Sequence, residues 1–504
     1  MDDINIFWFR RDLRIEDNCA LSDLVRLGSY GAIYIHDTSV IASNDFSRMH
    51  LDFINDSLKE LSKDFRSQDG HLNIFTGAAV DIFNELIGEY NILNVYSNQE
   101  TGNGVTRARD EKLKDFFIKN RVEWSTYQNN GVIDGLNNRD GWSSSWNKEM
   151  LKPIIVKPSI SESKKLNIKF SGYNQINNIV EHVDYEKKYV GGATKGLAQL
   201  DEFLNLNGRF YSKHISSPLT SENSCSRLSP YITYGNLSIR QITQATRTRQ
   251  EKLRQKRSRD GWLGSLSAFS SRLRWHCHFI QKLEMQPNLE FTNMVSAYDG
   301  MRDDYSGKYF EAWKRGCTGY PMVDACMRFL KTNGWINFRM RAMLVSFASY
   351  NLWLDWRPTS KFLSKYFIDY EPGIHYNQFQ MQSGVTGINA IRIYNPIKQQ
   401  GDHDPDGLFV KKWCPELSVV PKEYLQFPHL MSESFQKKID CIIGKSYPEP
   451  IVDLKISSLK AKKIIYSIRS SSAAKKQSQL AYELHGSRRK PRHNKSDKRV
   501  LNDI

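Results

Sequence analysis

The chain has 504 residues, more than the roughly 250 to 300 at which single hydrophobic cores stop growing, so a lone small module is excluded and we expect two or more domains. Its 40% hydrophobic and 25% charged residues exclude a disordered or fibrous chain, and no stretch approaches the roughly 18 uncharged apolar residues of a membrane span. The 71 Lys and Arg residues exceed the 55 Asp and Glu residues, a balance typical of a chain that meets a polyanion or carries a solvated basic surface.

The first 130 residues alternate strand-like and helix-like segments. Five runs rich in β-branched and aromatic residues are separated by helical patterns: INIFWF, GAIYIH, LNIF, LNVYS and VEWSTY. This rhythm predicts an α/β domain with a Rossmann-like parallel sheet over residues 1–130. The first strand leads into RRDLRIEDN rather than a GxGxxG loop, so NAD-type binding is not expected. The opening residues have no apolar signal core, and we expect a cytoplasmic protein without a membrane partner.

The remainder of the chain divides by pattern into three parts. Residues 131–190 are polar and irregular and predict an interdomain linker. Residues 191–454 have long apolar helical faces and few strand signals, so we expect an all-α second domain. Residues 455–504 hold 14 basic and 3 acidic residues, which predicts a basic C-terminal helix and tail.

Cysteine and histidine spacings do not predict a metal site. The seven cysteines are scattered and never form CxxC, so neither a disulfide framework nor a zinc site is indicated. His276 and His278 are two residues apart, which on a helix puts them on different faces. We therefore expect reduced thiols and no bound metal.

A segment rich in small hydroxyl residues, SCSRLSPYITYGNLS, lies early in the helical region. Ser224, Ser226 and Ser229 surround Arg227, and Pro230 opens a predicted helix. Hydroxyl groups, a guanidinium and free backbone N–H groups at a helix start would hold a diphosphate. A simple helix cap is the alternative interpretation.

Aromatic and charged residues recur together farther along. NGWINFRMRAM places Trp335 near Arg339 and Arg341, and FIDYEPGIH adds two carboxylates and a histidine. A planar ligand with polar edges would suit these groups. Tryptophan also fills cores, so core packing is the alternative.

These segments resemble the photolyase/cryptochrome family of blue-light flavoproteins. The resemblance rests on FWFRRDLRIEDNCAL, SRLSPYITYGNLS, TGYPMVDACMRFLKTNGWINFRMR, LWLDWR, and RIYNP followed by DHDPDGLFVKKWCPEL, in the family's order over residues 4 to 417. It implies an antenna domain and an all-α domain that binds FAD at the floor of a cavity facing DNA. It also allows a second, antenna chromophore, whose identity the sequence does not give.

The resemblance assigns the cofactor contacts by position. The phosphate and ribityl contacts would be Tyr211, Cys225, Ser226, Arg227, Leu228 and Ser229. The flavin-face residues would be Trp335, Arg341, Asp369, Glu371 and His375. Within this set, Arg341 and Asp369 match the family's salt-bridged pair, and Glu371 replaces its second aspartate.

The lesion-binding positions depart from the family's repair enzymes. Trp275 matches one of two tryptophans that sandwich the lesion, but Met381 stands at the second position and Arg272 replaces a glutamate. His375 replaces the asparagine that faces the flavin, so its charge would bear on the redox state of the flavin. We expect Trp275, Arg272, His375 and Met381 to act in catalysis, and Arg339, Arg341 and Arg392 to contact DNA.

The electron-transfer route is also altered. Phe379 stands at the position nearest the flavin, whereas Trp356 keeps the middle position, and Trp353 is an alternative donor. The leading hypothesis is a monomeric photolyase that uses reduced FAD and blue light to split pyrimidine dimers in UV-damaged DNA. The alternatives are a cryptochrome-like photoreceptor and a DNA-binding flavoprotein without lyase activity.

Overall fold

The computed structural model describes residues 1–168, 173–303 and 305–486. A parallel sheet of five strands with the order β3-β2-β1-β4-β5 forms the N-terminal part. The strands are β1 (Asp2–Phe9), β2 (Tyr30–Asp37), β3 (Leu72–Gly77), β4 (Tyr90–Asn98) and β5 (Glu123–Tyr127). All five predicted strand segments are therefore confirmed. Every residue of β2 is buried, as expected where helices cover both faces of a parallel sheet.

The two faces of the sheet belong to different cores. Because side chains alternate along a strand, Ile6 and Trp8 of β1 pack on one face, whereas Phe7 and Phe9 pack on the other. Five helices accompany the strands: α1 (Cys19–Leu24), α2 (Thr38–Ile41), α3 (Arg48–Arg66), α4 (Ala79–Glu89) and α5 (Gly104–Asn120). The face of Ile6 and Trp8 packs against α4 and α5.

The predicted irregular linker holds two helices, α6 (Trp142–Leu151) and α7 (Tyr173–Ile179), so the expectation of irregular chain is wrong at these positions. Trp142 and Trp146 of α6 are each 4% exposed and join the main core. Gln281 fixes this segment, because its amide exchanges hydrogen bonds with the backbone of Ile133 and accepts one from Trp142 Nε1 at 3.1 Å. The linker is thus part of the packed body.

The rest of the described chain is helical, which confirms the predicted all-α region. Its helices are α8 (Ala193–Asn205), α9 (Tyr211–His214), α10 (Ser221–Ser224), α11 (Ser229–Thr233), α12 (Ile239–Gln255), α13 (Trp262–Met285), α14 (Gly307–Arg315), α15 (Pro321–Asn333), α16 (Phe338–Ser346), α17 (Trp356–Ser364), α18 (Pro372–Ser383), α19 (Pro396–His403), α20 (Leu408–Trp413), α21 (Glu433–Lys438), α22 (Leu454–Ser470) and α23 (Ser472–His485). The predicted basic helix corresponds to α22 and α23, and the tail from residue 487 lies outside the described residues. No helix in the described ranges is both long and apolar enough to cross a membrane.

Helix α13 joins two cores of the helical region. Leu273, Cys277 and Ile280 pack into a core shared with the sheet, whereas Leu283, near the end of the same helix, belongs to a second core. That second core is formed mainly by residues that follow α13, and it includes Trp313 and Trp356. The side of α13 between these cores forms a wall of the candidate site.

Candidate functional site

Helices α13, α16 and α18 enclose an inner cavity of about 1420 Å³. Two of these walls approach closely at Gly373 near the start of α18, because a Cβ atom there would lie 2.5 Å from the Cα of Ile280 on α13. Ten of the eleven residues predicted to contact the cofactor line this cavity: Tyr211, Cys225, Ser226, Arg227, Ser229, Trp335, Arg341, Asp369, Glu371 and His375.

Leu228 is the exception among these residues. Its side chain is 1% exposed and packs in the hydrophobic core, and it precedes α11 as its N-cap. The Leu228 side chain therefore supports the helix start and does not line the cavity, and its assignment as a cofactor contact stays a prediction.

Arg341 and Asp369 form a two-point ion pair on the wall of the inner cavity. Arg341 Nη1 and Nη2 donate to the two Asp369 carboxylate oxygens at 2.9 and 3.0 Å. Arg341 Nε donates to the carbonyl oxygen of Ile336 at 2.7 Å, and the guanidinium lies 4.3 Å from the ring of Phe367. Planar, bidentate pairing of this kind fixes a charge in direction. All three guanidinium nitrogens have partners here, and the assignment of Arg341 as a DNA contact stays a prediction.

Arg227 adopts a conformation suited to a tight approach of the backbone. Its φ of 54° lies in the left-handed region, which is uncommon outside glycine and marks a held conformation. Its guanidinium lies 4.1 Å from the centroid of Trp335, and its Nε donates to the hydroxyl of Tyr189. Cys225 beside it is buried, which raises the pKa of its thiol to about 12, so this thiol is neutral.

His375 is a neutral imidazole on the inner wall. Burial lowers its pKa to about 4, and its Nε2 lies 2.9 Å from the carbonyl oxygen of Ser360. That carbonyl can only accept, so Nε2 carries the proton and Nδ1 is left as an acceptor.

Glu371 connects the cavity with the sheet. Its carboxylate lies 3.2 Å from Arg11 Nη2, and the same nitrogen donates to the carbonyl oxygen of Tyr370 at 2.8 Å. Burial raises the pKa of Glu371, and Arg11 opposes that rise. The replacement of the family's aspartate thus places a longer carboxylate against an arginine that follows β1.

Polar atoms without partners line the inner cavity and fit a ligand with polar edges. His276 Nδ1 and Nε2, both polar atoms of the Gln378 side chain, and Asn337 Oδ1 are buried and have no hydrogen-bond partner among the residues that the structure describes. Buried groups of this kind are normally satisfied, so a ligand with several donors and acceptors, such as the FAD that the resemblance implies, suits this wall. These three residues were missed from sequence. The spacing of three between His375 and Gln378 on α18, which puts them on one helix face, was the available signal.

An outer cavity of about 2120 Å³ adjoins the inner one. Trp275, Arg272, Phe279 and Gln378 line both, so they form the passage between them. Trp275 is 43% exposed, and the Arg272 guanidinium lies 4.2 Å from its ring centroid. Met381, Arg339 and Arg392 line only the outer cavity.

The two predicted electron donors differ in their links to the inner cavity. Trp356 is 1% exposed, and its ring lies 6.4 Å from Tyr376, which lies 5.4 Å from His375. Trp353 instead packs against Arg302 at 4.7 Å and has no ring contact among the described aromatic residues. Of the two predicted donors, Trp356 is thus the one that aromatic contacts connect to the cavity wall.

A separate cavity of about 840 Å³ lies at the carboxyl ends of the strands. Trp8, Tyr34, Glu100 and Arg109 line it, and Tyr370 lines both this cavity and the inner one. The described residues contain no group of three or more His, Cys, Asp or Glu side chains placed to hold a metal ion.

Comparison with known proteins finds two matching family models. The model described as DNA photolyase matches residues 5–135, and the model described as the FAD binding domain of DNA photolyase matches residues 269–467. Together they span more than half of the chain.

Relatives along the whole chain include both light-driven enzymes and cryptochromes. A deoxyribodipyrimidine photo-lyase of Alkalihalophilus pseudofirmus is 27% identical over 90% of this chain and 95% of its own length. A cryptochrome DASH of Gloeobacter violaceus is 26% identical over 92% of this chain and 95% of its own. A bacterial class III photolyase from Agrobacterium tumefaciens has a TM-score of 0.80, with 25% identity, over 94% of this chain and 98% of that one. An archaeal photolyase from Sulfolobus tokodaii, solved with two FAD molecules, has a TM-score of 0.73, with 26% identity, over 92% of this chain and 99% of that one.

Proposed function

Because the chain belongs to the DNA photolyase and cryptochrome family, we propose that it is a photolyase that splits pyrimidine dimers in UV-damaged DNA under blue light. The observation that carries this proposal is an open inner cavity, with Arg341 and Asp369 on its wall, that meets an outer cavity at Trp275. A cofactor in the inner cavity and a flipped-out nucleotide pair in the outer cavity would be adjacent. Such eversion is how enzymes reach a base inside a duplex.

FAD bound in reduced form supplies the electron that opens the dimer, and the protein supplies position and surroundings. Arg341 and Asp369 would hold the polar edge of the ring, with His276 and Gln378 completing its hydrogen bonds. Arg227 and the start of α11 would hold the phosphates. His375 would present an unprotonated Nδ1, since its pKa is about 4 and it stays neutral at physiological pH.

Trp275 would stack one base of the dimer. Base stacking on an aromatic side chain contributes about 1–3 kcal/mol, and the exposed indole offers the surface for it. Arg272 carries donors that suit a thymine carbonyl or a phosphate and does not lose its proton. Met381 would pack against the other base as a deformable apolar group without a flat face.

The cavity at the strand ends supports a second chromophore as part of this proposal. It is lined by Trp8 and Tyr34 and by the charged pair Glu100 and Arg109. Tyr370 separates it from the inner cavity, so a chromophore there would lie close to the flavin. The relative from Sulfolobus tokodaii was solved with two FAD molecules.

One observation favours the second candidate, a photoreceptor or DNA-binding flavoprotein without lyase activity. The Arg272 guanidinium lies 4.2 Å over the Trp275 ring, and a base would have to displace it or stack on the opposite face. The curated relatives include cryptochromes as well as photolyases.

The deciding experiment is a repair assay. Purified protein with chemically reduced flavin is mixed with oligonucleotides that carry one cyclobutane or one (6-4) dimer and is exposed to blue light, with a dark sample as control. We expect loss of one lesion type in light alone. Trp275→Ala should weaken lesion binding by about 1–3 kcal/mol, whereas Trp275→Phe, which keeps an aromatic face, should retain most of it. If neither lesion disappears at saturating protein, the lyase proposal is wrong and the photoreceptor candidate takes its place.

A further inference from the structure

Tyr370 is a phenol on the cavity wall for which the proposed repair chemistry has no use. It follows Asp369 in the chain, and it lines both the inner cavity and the cavity at the strand ends. Its hydroxyl donates to Asp45 Oδ2 at 2.6 Å. Loss of contact with water and the negative charge of Asp45 raise the pKa of Tyr370 well above its ordinary value, so this side chain is a neutral phenol.

Asp45 is a carboxylate whose hydrogen-bond donors are neutral. It is 8% exposed, and it accepts hydrogen bonds from Ser43 Oγ and Asn103 Nδ2, each at 2.7 Å, in addition to the one from Tyr370. It forms no ion pair among the residues that the structure describes. A general base must lie within about 2.6–3.2 Å of the group whose proton it takes. Asp45 meets this condition for the Tyr370 hydroxyl.

A second phenol and an indole lie behind Tyr370. The hydroxyl oxygens of Tyr370 and Tyr376 are 3.1 Å apart, and the ring of Tyr376 lies 6.4 Å from the ring of Trp356. Phe379, which stands at the position nearest the flavin by resemblance, is much harder to oxidise than a phenol or an indole. The oxidisable side chain that lines the inner cavity on this side is therefore Tyr370 rather than Phe379.

The two kinds of donor differ in what happens to their protons. A phenol loses an electron readily only when its proton leaves as well, because the phenol radical cation is a strong acid. An indole can hold the positive charge, and Trp356 Nε1 donates to the amide oxygen of Asn293 at 2.8 Å, which is a very weak base. Proton transfer to a carboxylate thus distinguishes a donor at Tyr370 from a donor at Trp356.

We propose that Tyr370 donates the electron that reduces the light-excited oxidised flavin and that Asp45 accepts its proton. One electron leaves Tyr370 for the flavin, the phenolic O–H bond breaks, and the proton moves to Asp45 Oδ2. The products on the protein are a neutral tyrosyl radical and a neutral carboxylic acid. A hydrogen atom from an external thiol restores the phenol, and Asp45 releases its proton to solvent through the strand-end cavity that it lines.

This inference rests on the proposed function in taking a light-excited flavin as the oxidant, but it requires neither DNA nor lyase activity. It also places the new step before repair, since the repair assay starts from flavin that has been reduced chemically.

The first test is reduction of the oxidised flavin by blue light, with a thiol present and DNA absent, followed by absorbance and expressed per bound flavin. Asp45→Asn should slow this reduction by about a hundredfold, the lower end of what a placed general base contributes, and Tyr370→Phe should slow it by at least as much. The wild-type rate should be lower in D₂O than in H₂O. Tyr350→Phe is the matched control and should keep the wild-type rate, because Tyr350 is a buried tyrosine whose hydroxyl has no hydrogen-bond partner in the described residues.

The second test identifies the radical by electron paramagnetic resonance in wild-type protein frozen under illumination. Protein that contains ring-deuterated tyrosine should give a narrower radical signal than unlabelled protein, and Tyr370→Phe should lack this signal. Because the labelled protein has the wild-type sequence, this measurement decides the question even if a variant loses its flavin.

The outcomes separate this step from the proposed function. A wild-type rate in Tyr370→Phe, or a radical that narrows on deuteration of tryptophan instead of tyrosine, overturns the inference. A slow Tyr370→Phe, with wild-type rates in Asp45→Asn and in D₂O, overturns the proton transfer to Asp45. A wild-type protein whose bound flavin is not reduced by light overturns the inference and leaves the repair assay to test the lyase proposal, whereas failure of the repair assay leaves Tyr370 standing as the donor.

Discussion

Arg341 on the wall of the inner cavity and Lys282 on the wall of the outer cavity have different charge environments. Arg341 is paired with Asp369, whose side chain is 6% exposed, so removing either partner would leave a charge without compensation. Lys282 lines the outer cavity together with Arg139, and its Nζ lies 5.6 Å from the ring centroid of Phe279. Breaking a buried pair destabilises a protein, whereas removing an isolated buried charge relieves a desolvation cost. Arg341 is thus paired with a carboxylate on the wall of the inner cavity, whereas burial lowers the pKa of Lys282 on the wall of the outer cavity.

The lowered pKa of Lys282 predicts a measurable pH dependence of stability. Its pKa is about 7 in the folded chain and about 10.4 in the unfolded chain. Between these values the unfolded state holds the proton and the folded state has lost it, so the free energy of unfolding should rise with pH by up to about 1.4 kcal/mol per unit. The penalty is fully present below pH 7. His278 and His485 titrate below this window.

Urea unfolding of wild type and Lys282→Met at pH 7 and pH 9 checks this expectation. The wild-type protein should gain stability relative to Lys282→Met as the pH rises, because only the wild-type protein carries the amine with the lowered pKa. A constant difference in the free energy of unfolding between the two proteins across this range would show that the pKa of Lys282 is not lowered in the folded state.

At the scale of elements, the inner cavity depends on how closely α13 and α18 approach. Gly373→Ala would place a Cβ atom 2.5 Å from the backbone of Ile280, so the helices must separate, at a cost of about 1–3 kcal/mol. We expect a lower urea midpoint and less flavin in the purified protein, because His375 and Gln378 move with α18. Gly264→Ala on the same α13 is the matched control, since nothing lies within 4 Å of its added Cβ. That control should be neutral or more stable by at most about 1 kcal/mol, and equal flavin content in both variants would contradict the role of this packing.

The same scale shows what the sequence could and could not predict. The strands were predictable because a buried parallel strand such as β2 is an apolar run, and the long helices because their apolar faces recur. Helix α6 was not predicted, because the residues around Trp142 are mostly polar and only a few buried aromatic side chains anchor the helix to the core. The grouping of Arg139, Lys282 and His485 could not be predicted for another reason, because the three residues are distant in sequence and meet only through packing. Position matching to a family found residues that line the inner cavity, but it could not show that the Leu228 side chain packs in the core and that Arg341 pairs with Asp369.

For the whole molecule, the distribution of charge decides how DNA would approach. The chain carries a net charge of +16, and its described part ends at Gly486, which lines the outer cavity beside Lys282. The residues after Gly486 include seven basic and two acidic side chains. Basic charge on a DNA-binding protein adds affinity that is independent of sequence and sensitive to salt.

Deleting residues 487–504 should therefore weaken binding to damaged and undamaged DNA by the same factor and lower the salt slope. The yield of repair at saturating DNA should not change, because the residues that line the inner cavity all precede the deletion. Filter binding at several salt concentrations gives the affinities, and the repair assay gives the yield. A variant of full length with its seven basic tail residues replaced by Gln separates charge from length and should match the deletion. A deletion that lowers affinity for damaged DNA alone would instead mean that the tail recognises the lesion, and unchanged affinity would remove it from DNA binding.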